Sequence, residues 1–228
     1  MSVDKHIIIL AGGSGSRMGS TTPKQFLEIG GEPILALTIQ HILAIGSWKN
    51  IVVVLPQNQN QIWKSISARF DGVDILACEG GASRFLSVQN GLKRLGMVDG
   101  SIAIHDGVRP FVKSALVESL FAQVSKSNKG AIPVLNLVDS IREVQEGSLE
   151  SKALDRSNFR AVQTPQVFPA ASLISAYSTP EQDGFTDDAS VFEAAGYQVL
   201  LLPGDADNIK ITHPKDLALG GYILENWN

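Results

Sequence analysis

Short β-branched runs alternate with amphipathic stretches along most of the chain. Residues 6–10 (HIIIL), 51–55 (IVVVL), 73–77, 101–105 (SIAIH) and 130–135 are nearly continuous apolar runs. That is the pattern of strands covered on both faces. Between them, residues 33–45, 60–70, 84–95 and 114–127 carry helical spacing, and Ser114 with Glu118 close behind marks a helix start. Such alternation predicts a mostly parallel sheet with helices on both sides, which binds ligands at the carboxyl ends of its strands. The rhythm breaks after Val134. Residues 136–146 set Leu137, Ile141 and Val144 against Asp139, Arg142 and Glu143, then meet Glu-Gly-Ser. This predicts an exposed hairpin or arm. Helices are expected again at 169–177, 187–195 and 214–226, with a strand at 198–202. The expectation is one α/β domain over residues 1–228, with an arm inserted near 136–160.

Composition narrows the class. The chain has 228 residues, 44% hydrophobic and 18% charged, which suits a soluble α/β domain with its own core. The net charge of −4 argues against a nucleic-acid partner. A small polyanion remains possible, because it needs only a local cluster of cations. The single cysteine, Cys78, leaves no pair for a disulfide, so a cytoplasmic location is expected. The N-terminal apolar run, residues 7–11, is too short for a signal peptide or a membrane span.

The first strand runs into Leu10-Ala11-Gly12-Gly13-Ser14-Gly15-Ser16-Arg17-Met18-Gly19. Three glycines in four residues free the backbone and let several N–H groups converge on one anion. The Walker pattern is absent, and Met18 stands where the dinucleotide fingerprint requires glycine. Arg17, and Lys24 in Pro23-Lys24-Gln25, follow the cradle and could offset charge on phosphate oxygens.

Other constellations fall at predicted strand ends. Gly80-Gly81-Ala82-Ser83-Arg84 opens a helix carrying Ser87 and is either a plain connection or a turn that approaches a nucleobase. In His105-Asp106-Gly107-Val108-Arg109-Pro110, Asp106 could take Mg²⁺ or a ribose hydroxyl and Arg109 a phosphate, or the two could pair with each other. His105 reads as a packed, hydrogen-bonded histidine rather than a catalyst. Thr186-Asp187-Asp188 resembles a helix N-cap, with the Thr186 hydroxyl free to meet substrate. Lys210, between Ile209 and Ile211, could point to the opposite face from them, either as a surface lysine or toward a site at the sheet's edge.

Taken together, LAGGSGSRMG…PKQF, GGASRFLSVQNGL, IAIHDGVRPFV, LDRSNFRAVQTPQVF, FTDDAS and DNIKITHPKDL resemble the 2-C-methyl-D-erythritol 4-phosphate cytidylyltransferase family, over residues 6–222. The related ribitol-5-phosphate cytidylyltransferases share the glycine loop, HDxVRP and NIKIT segments. The resemblance implies a Rossmann-like three-layer nucleotidyltransferase fold with an inserted β-arm, CTP as cosubstrate, Mg²⁺, and a homodimer with crossed arms. Carried over residue by residue, Arg17 and Lys24 would stabilise the transition state, and Arg156 and Lys210 would position the sugar phosphate. Residues Leu10 to Gly15 would hold nucleotide, with Gly81, Ala82 and Ser87 reading cytosine. Asp106, Gly107, Arg109 and Thr186 would contact metal and substrate. Ser140 and Arg156, on the arm, would reach the neighbouring subunit's site. Leu10 and Ser140 depart from the family pattern, where a small or proline-like residue and a threonine are usual.

Overall fold

The computed structural model describes residues 3–13, 22–46 and 48–227. In chain order, β1 (Lys5–Leu10) leads through a 3-10 turn (Lys24–Phe26) to the short strands β2 (Glu28–Ile29) and β3 (Glu32–Pro33). Then come α1 (Ile34–Ile45), β4 (Asn50–Leu55), α2 (Asn60–Ser67), β5 (Ile75–Glu79), α3 (Arg84–Leu95), β6 (Ser101–Asp106), α4 (Ser114–Ser127) and β7 (Gly130–Asn136). The arm strands β8 (Ile141–Val144) and β9 (Ser151–Leu154) follow. The chain ends with β10 (Arg160–Val162), β11 (Gln166–Pro169), α5 (Ala170–Ala176), α6 (Asp188–Ala194), β12 (Val199–Pro203) and α7 (Pro214–Glu225).

Among the described residues, eight strands form the main sheet in the order β10-β7-β11-β6-β1-β4-β5, with β12 also on β7. β5, β4, β1 and β6 are parallel, as are β12 and β7. β11 runs antiparallel to both β6 and β7, and β10 antiparallel to β7. This is the expected α/β fold with a mostly parallel mixed sheet. Strand order reverses at β1: β4 and β5 lie on one side and β6 on the other. A crevice therefore opens at the carboxyl ends of β1 and β6.

The strand alternation divides the core. Ile7, Ile9, Ile51, Val53 and Leu55 pack under α1 and α4 on one face, and Ile8, Val52 and Val54 pack against α3 on the other. A third cluster, with Ile29, Ile34, Phe111, Ile211 and Ile223, seats α7 near the hairpin of β2 and β3.

Several elements differ from the pattern reading. β5 begins two residues later than expected, because Gly72 turns with φ +83° and Val73 lies exposed at 41%. The β2–β3 hairpin was not anticipated, although Gly30 (φ +61°) and Gly31 (φ +82°) supply the left-handed pair that a tight turn requires. β10 and β11 were also missed. Gln163-Thr164-Pro165 reads locally as a turn, yet β11 is fully buried between β6 and β7. In the arm, β8 and β9 pair only with each other among the described residues, and Val138, Val144 and Leu149 stand exposed at 82%, 65% and 105%.

Candidate active site

A cleft of about 500 Å³ occupies the crevice at the switch point. Its floor is the end of β1: Leu10, Ala11, Gly12 and Gly13. Gln25 holds this floor in place. Its buried side-chain amide donates to the Ala11 carbonyl at 2.6 Å and the Gly13 carbonyl at 3.2 Å. The adjacent Lys24 thereby reaches the rim. Ser14, Gly15 and Arg17 lie outside the described residues.

One wall comes from the turn after β5. Ser83 caps α3 by accepting from the Leu86 N–H at 3.1 Å. The Ser87 hydroxyl, one turn on, accepts from the Gly81 N–H at 3.1 Å and donates to the Ser83 carbonyl at 2.8 Å. A Cβ at Gly81 would come within 2.3 Å of the Leu86 Cβ, so this turn admits only glycine without rearrangement. Gly81, Ala82 and Ser87 all line the cleft, as does Arg84. Arg84 donates through both terminal nitrogens, at 2.8 and 2.6 Å, to the fully buried carboxylate of Asp188. The Tyr177 hydroxyl donates to the same carboxylate at 2.6 Å. Burial, then the Asp188 charge, push the Tyr177 phenol up, which keeps its proton in place.

The opposite wall is the end of β6. Asp106 is buried, and its Oδ2 accepts from Arg109 Nε at 3.2 Å and lies 3.0 Å from Lys210 Nζ. Burial would raise its pKa. The cations of Lys210, Arg84 and Arg109 outweigh that and hold the carboxyl well below the usual carboxylate range. Lys210 faces the cleft while Ile211 is fully buried, the alternation expected of that short apolar run.

Behind this wall runs a polar network. Arg109 turns inward and donates to the Asn208 carbonyl at 2.8 Å, so of the alternatives for Asp106 and Arg109 the structure contains the mutual pair. His105 Nε2 donates to the Arg109 carbonyl at 3.0 Å, which leaves Nδ1 to accept from the Thr164 hydroxyl at 3.0 Å. Thr164 in turn accepts from the Asp106 N–H. Fully buried, His105 is pushed down to about 4 and stays neutral. It is the packed histidine the sequence suggested. Gly107 is buried beneath the loop, its N–H donating to the Leu10 carbonyl at 2.8 Å.

Besides Gly107 and Arg109, which lie behind the cleft lining, three expected contacts stand apart from the cleft in this chain. Thr186 is exposed ahead of α6, whose cap is Asp187 in a capping box with Ser190. Ser140 is exposed in the arm. Arg156 is exposed too, its guanidinium donating to the Val138 carbonyl. Gln25 and Val108 line the cleft but had no role assigned from the sequence, and Asp188 was read only as part of a cap.

Among the described residues, no group of three or more His, Cys, Asp or Glu side chains could hold a metal ion. A lone carboxylate such as Asp106 does not make a protein cage. It does suit Mg²⁺ that arrives on a polyphosphate and keeps most of its other ligands.

A phosphate-type glycine turn at the switch point, with lysines on both rims, defines a nucleotidyltransferase site on an α/β fold. The comparisons with known proteins make the assignment specific. The family model for 2-C-methyl-D-erythritol 4-phosphate cytidylyltransferase matches residues 5–226. Curated relatives with that name include one from Phocaeicola vulgatus, 39% identical over 97% of this chain and 100% of its own length. Another, from Bacteroides fragilis, is 42% identical over 95% of this chain and 98% of its own. Among solved structures, the 2-C-methyl-D-erythritol 4-phosphate cytidylyltransferase of Thermus thermophilus superposes with a TM-score of 0.78. It is 31% identical, with coverage of 99% of this chain and 100% of that one. The 4-diphosphocytidyl-2C-methyl-D-erythritol synthase of Anaerococcus prevotii gives a TM-score of 0.82 at 26% identity, covering 98% and 99%. The chain belongs to the 2-C-methyl-D-erythritol 4-phosphate cytidylyltransferase family.

Proposed function

We propose that this protein transfers CMP from CTP to 2-C-methyl-D-erythritol 4-phosphate, releasing pyrophosphate and forming 4-diphosphocytidyl-2-C-methyl-D-erythritol. The observation that carries the reading is the glycine floor at Ala11–Gly13 between the Lys24 rim and the Asp106–Lys210 pair, in a chain of this family. An oxygen of the acceptor phosphate attacks the α-phosphorus of CTP in line, and pyrophosphate departs. A phosphate monoester is already largely dianionic at neutral pH, its second pKa being about 6, so the reaction needs no general base. That fits a site whose histidine, His105, is neutral, buried and hydrogen-bonded at both ring nitrogens. Catalysis then rests on positioning and charge neutralisation.

Lys24 offsets charge on the transferring phosphate, and Arg17 is assigned the same task by its motif. Lys210 exchanges its partner Asp106 for the acceptor phosphate. Gly81, Ala82 and Ser87 face the cytosine. Asp106 would hold a triphosphate-borne Mg²⁺, which when bound supplies further charge neutralisation. The exposed arm with Val138, Val144 and Leu149 supports a homodimer in which Ser140 and Arg156 serve the neighbouring site. Thr186 would complete the acceptor pocket, with Arg109 acting through Asp106. A cytoplasmic location fits a single cysteine, Cys78, whose thiol is pushed up by burial, and no helix of the described residues is long and apolar enough to cross a membrane.

The test is pyrophosphate release with CTP and Mg²⁺, comparing methylerythritol 4-phosphate with ribitol 5-phosphate. Methylerythritol 4-phosphate is expected to be preferred. The acceptors differ by a methyl branch and hydroxyl placement, worth about 1–3 kcal/mol, so some turnover of ribitol 5-phosphate is compatible. A preference for ribitol 5-phosphate would reassign the acceptor.

A further inference from the structure

Arg84 is the first residue of α3, Asp188 the first of α6, and Tyr177 the cap that ends α5. The three side chains meet beside the cleft although Arg84 and Asp188 are 104 positions apart. Asp188 has no exposure at all, and Tyr177 is buried beneath the stacked ring of Phe85, 4.9 Å between centroids. The Arg84 side chain keeps 32% of its exposure and lines the cleft next to Gly81, Ala82 and Ser83. The bidentate fork uses one N–H on each terminal nitrogen, and the other guanidinium N–H groups make no hydrogen bond among the described residues.

We propose that Asp188 and Tyr177 are positioning residues that lock Arg84 as a rigid donor for the nucleoside part of the nucleotide. Three features decide between this and a phosphate clamp. Asp188 already balances the Arg84 charge at 2.6 Å, so a second anion gains little there. A neutral acceptor oxygen on base or ribose carries no such penalty. Arg84 also springs from the same turn that presents the Gly81 and Ser87 groups to the cleft. Tyr177 occupies one lone pair of Asp188 Oδ1 and fixes the plane of the carboxylate, and hence that of the guanidinium. This inference rests on the reading of the cleft as a CTP site.

The experiment compares CTP with inorganic tripolyphosphate, which keeps the anion and lacks the nucleoside. Binding of both and CTP turnover are measured for the full-length wild type, Asp188→Asn, Tyr177→Phe and Arg84→Lys. The expected result for Asp188→Asn and Arg84→Lys is a rise of about tenfold or more in KM and Kd for CTP, as for loss of one hydrogen bond to a charged group. Their kcat should stay within threefold and their tripolyphosphate affinity within twofold. Tyr177→Phe, which removes one oxygen and keeps the ring, should show the same split more weakly. If Asp188→Asn does not fold, Tyr177→Phe and Arg84→Lys decide. Equal weakening of both ligands in folded variants would overturn the nucleoside assignment. Unchanged CTP affinity would overturn the positioning role. Failure of the wild type to bind CTP would instead remove the underlying reading.

Discussion

Asp106→Asn is the substitution that separates the two jobs of the β6 carboxylate. Oδ2 meets Lys210 Nζ at 3.0 Å and Arg109 Nε at 3.2 Å, but the two contacts differ in worth. The Lys210 side chain is 41% exposed, so its ion pair contributes at most about 1 kcal/mol to stability. Arg109 is 11% exposed, and without the carboxylate its buried charge has no counter-ion in this pair and is left with the neutral amide oxygen and the Asn208 carbonyl as acceptors. Removing one member of a buried pair costs about 3–5 kcal/mol, and the isosteric amide, which still accepts a hydrogen bond, belongs at about 3. In a domain of this size that lowers Tm by roughly 6–12 °C. Denaturant unfolding and a thermal melt at pH 7.5 measure it. The double variant Asp106→Asn/Arg109→Gln, which removes the orphaned charge, should recover at least half of the loss. A single-variant loss below about 1 kcal/mol, or no recovery in the double, would refute the dependence of Arg109 on Asp106.

Lys24→Ala and Arg17→Ala should each lower turnover about 10²–10³-fold, roughly 3–4 kcal/mol, by analogy with loss of one transition-state donor; a drop below about threefold with folding intact would remove the assignment. His105 titrates at about 4 folded against 6.5 unfolded, so the unfolded chain binds the extra proton and stability falls as pH drops through that window. Unfolding free energy should decrease by about 2 kcal/mol more between pH 7.5 and pH 5 in the wild type than in His105→Gln, and equal slopes would contradict the neutral histidine. If Arg156 serves the neighbouring site, verified heterodimers of Arg156→Ala and Lys24→Ala subunits should regain about half the wild-type rate, from one intact site of two, and no recovery would contradict the crossed arms.

The legible parts of the fold were those encoded by local pattern. β1, β4 and β6 are apolar through consecutive positions because both faces are covered, and Ile7, Ile8 and Ile9 divide between the two cores as a period of two requires. β11 was illegible because its strand character comes from β6 and β7, which bury it, and its flanking prolines look like punctuation. The site divides in the same way. Ala11–Gly13, Lys24, Asp106 and Lys210 sit at strand ends or in turns whose chemistry shows in sequence, Ser87 follows such a turn in α3, and all of them converge on one cleft. The supports were hidden. Gln25 beneath the loop, and Asp188 beneath Arg84, act through contacts that only the folded sheet creates. Arg109 illustrates the limit: its spacing from Asp106 suited a phosphate contact and an internal pair equally, and burial decided between them.

In the proposed reaction the acceptor phosphate attacks the α-phosphorus of CTP. Phosphorus NMR of a complete reaction with CTP, methylerythritol 4-phosphate and Mg²⁺ tests it most directly. One equivalent of inorganic pyrophosphate is expected for each new diphosphate diester, with consumption of the acceptor monoester signal. CMP and pyrophosphate with the acceptor unchanged, or CDP and inorganic phosphate, would contradict it.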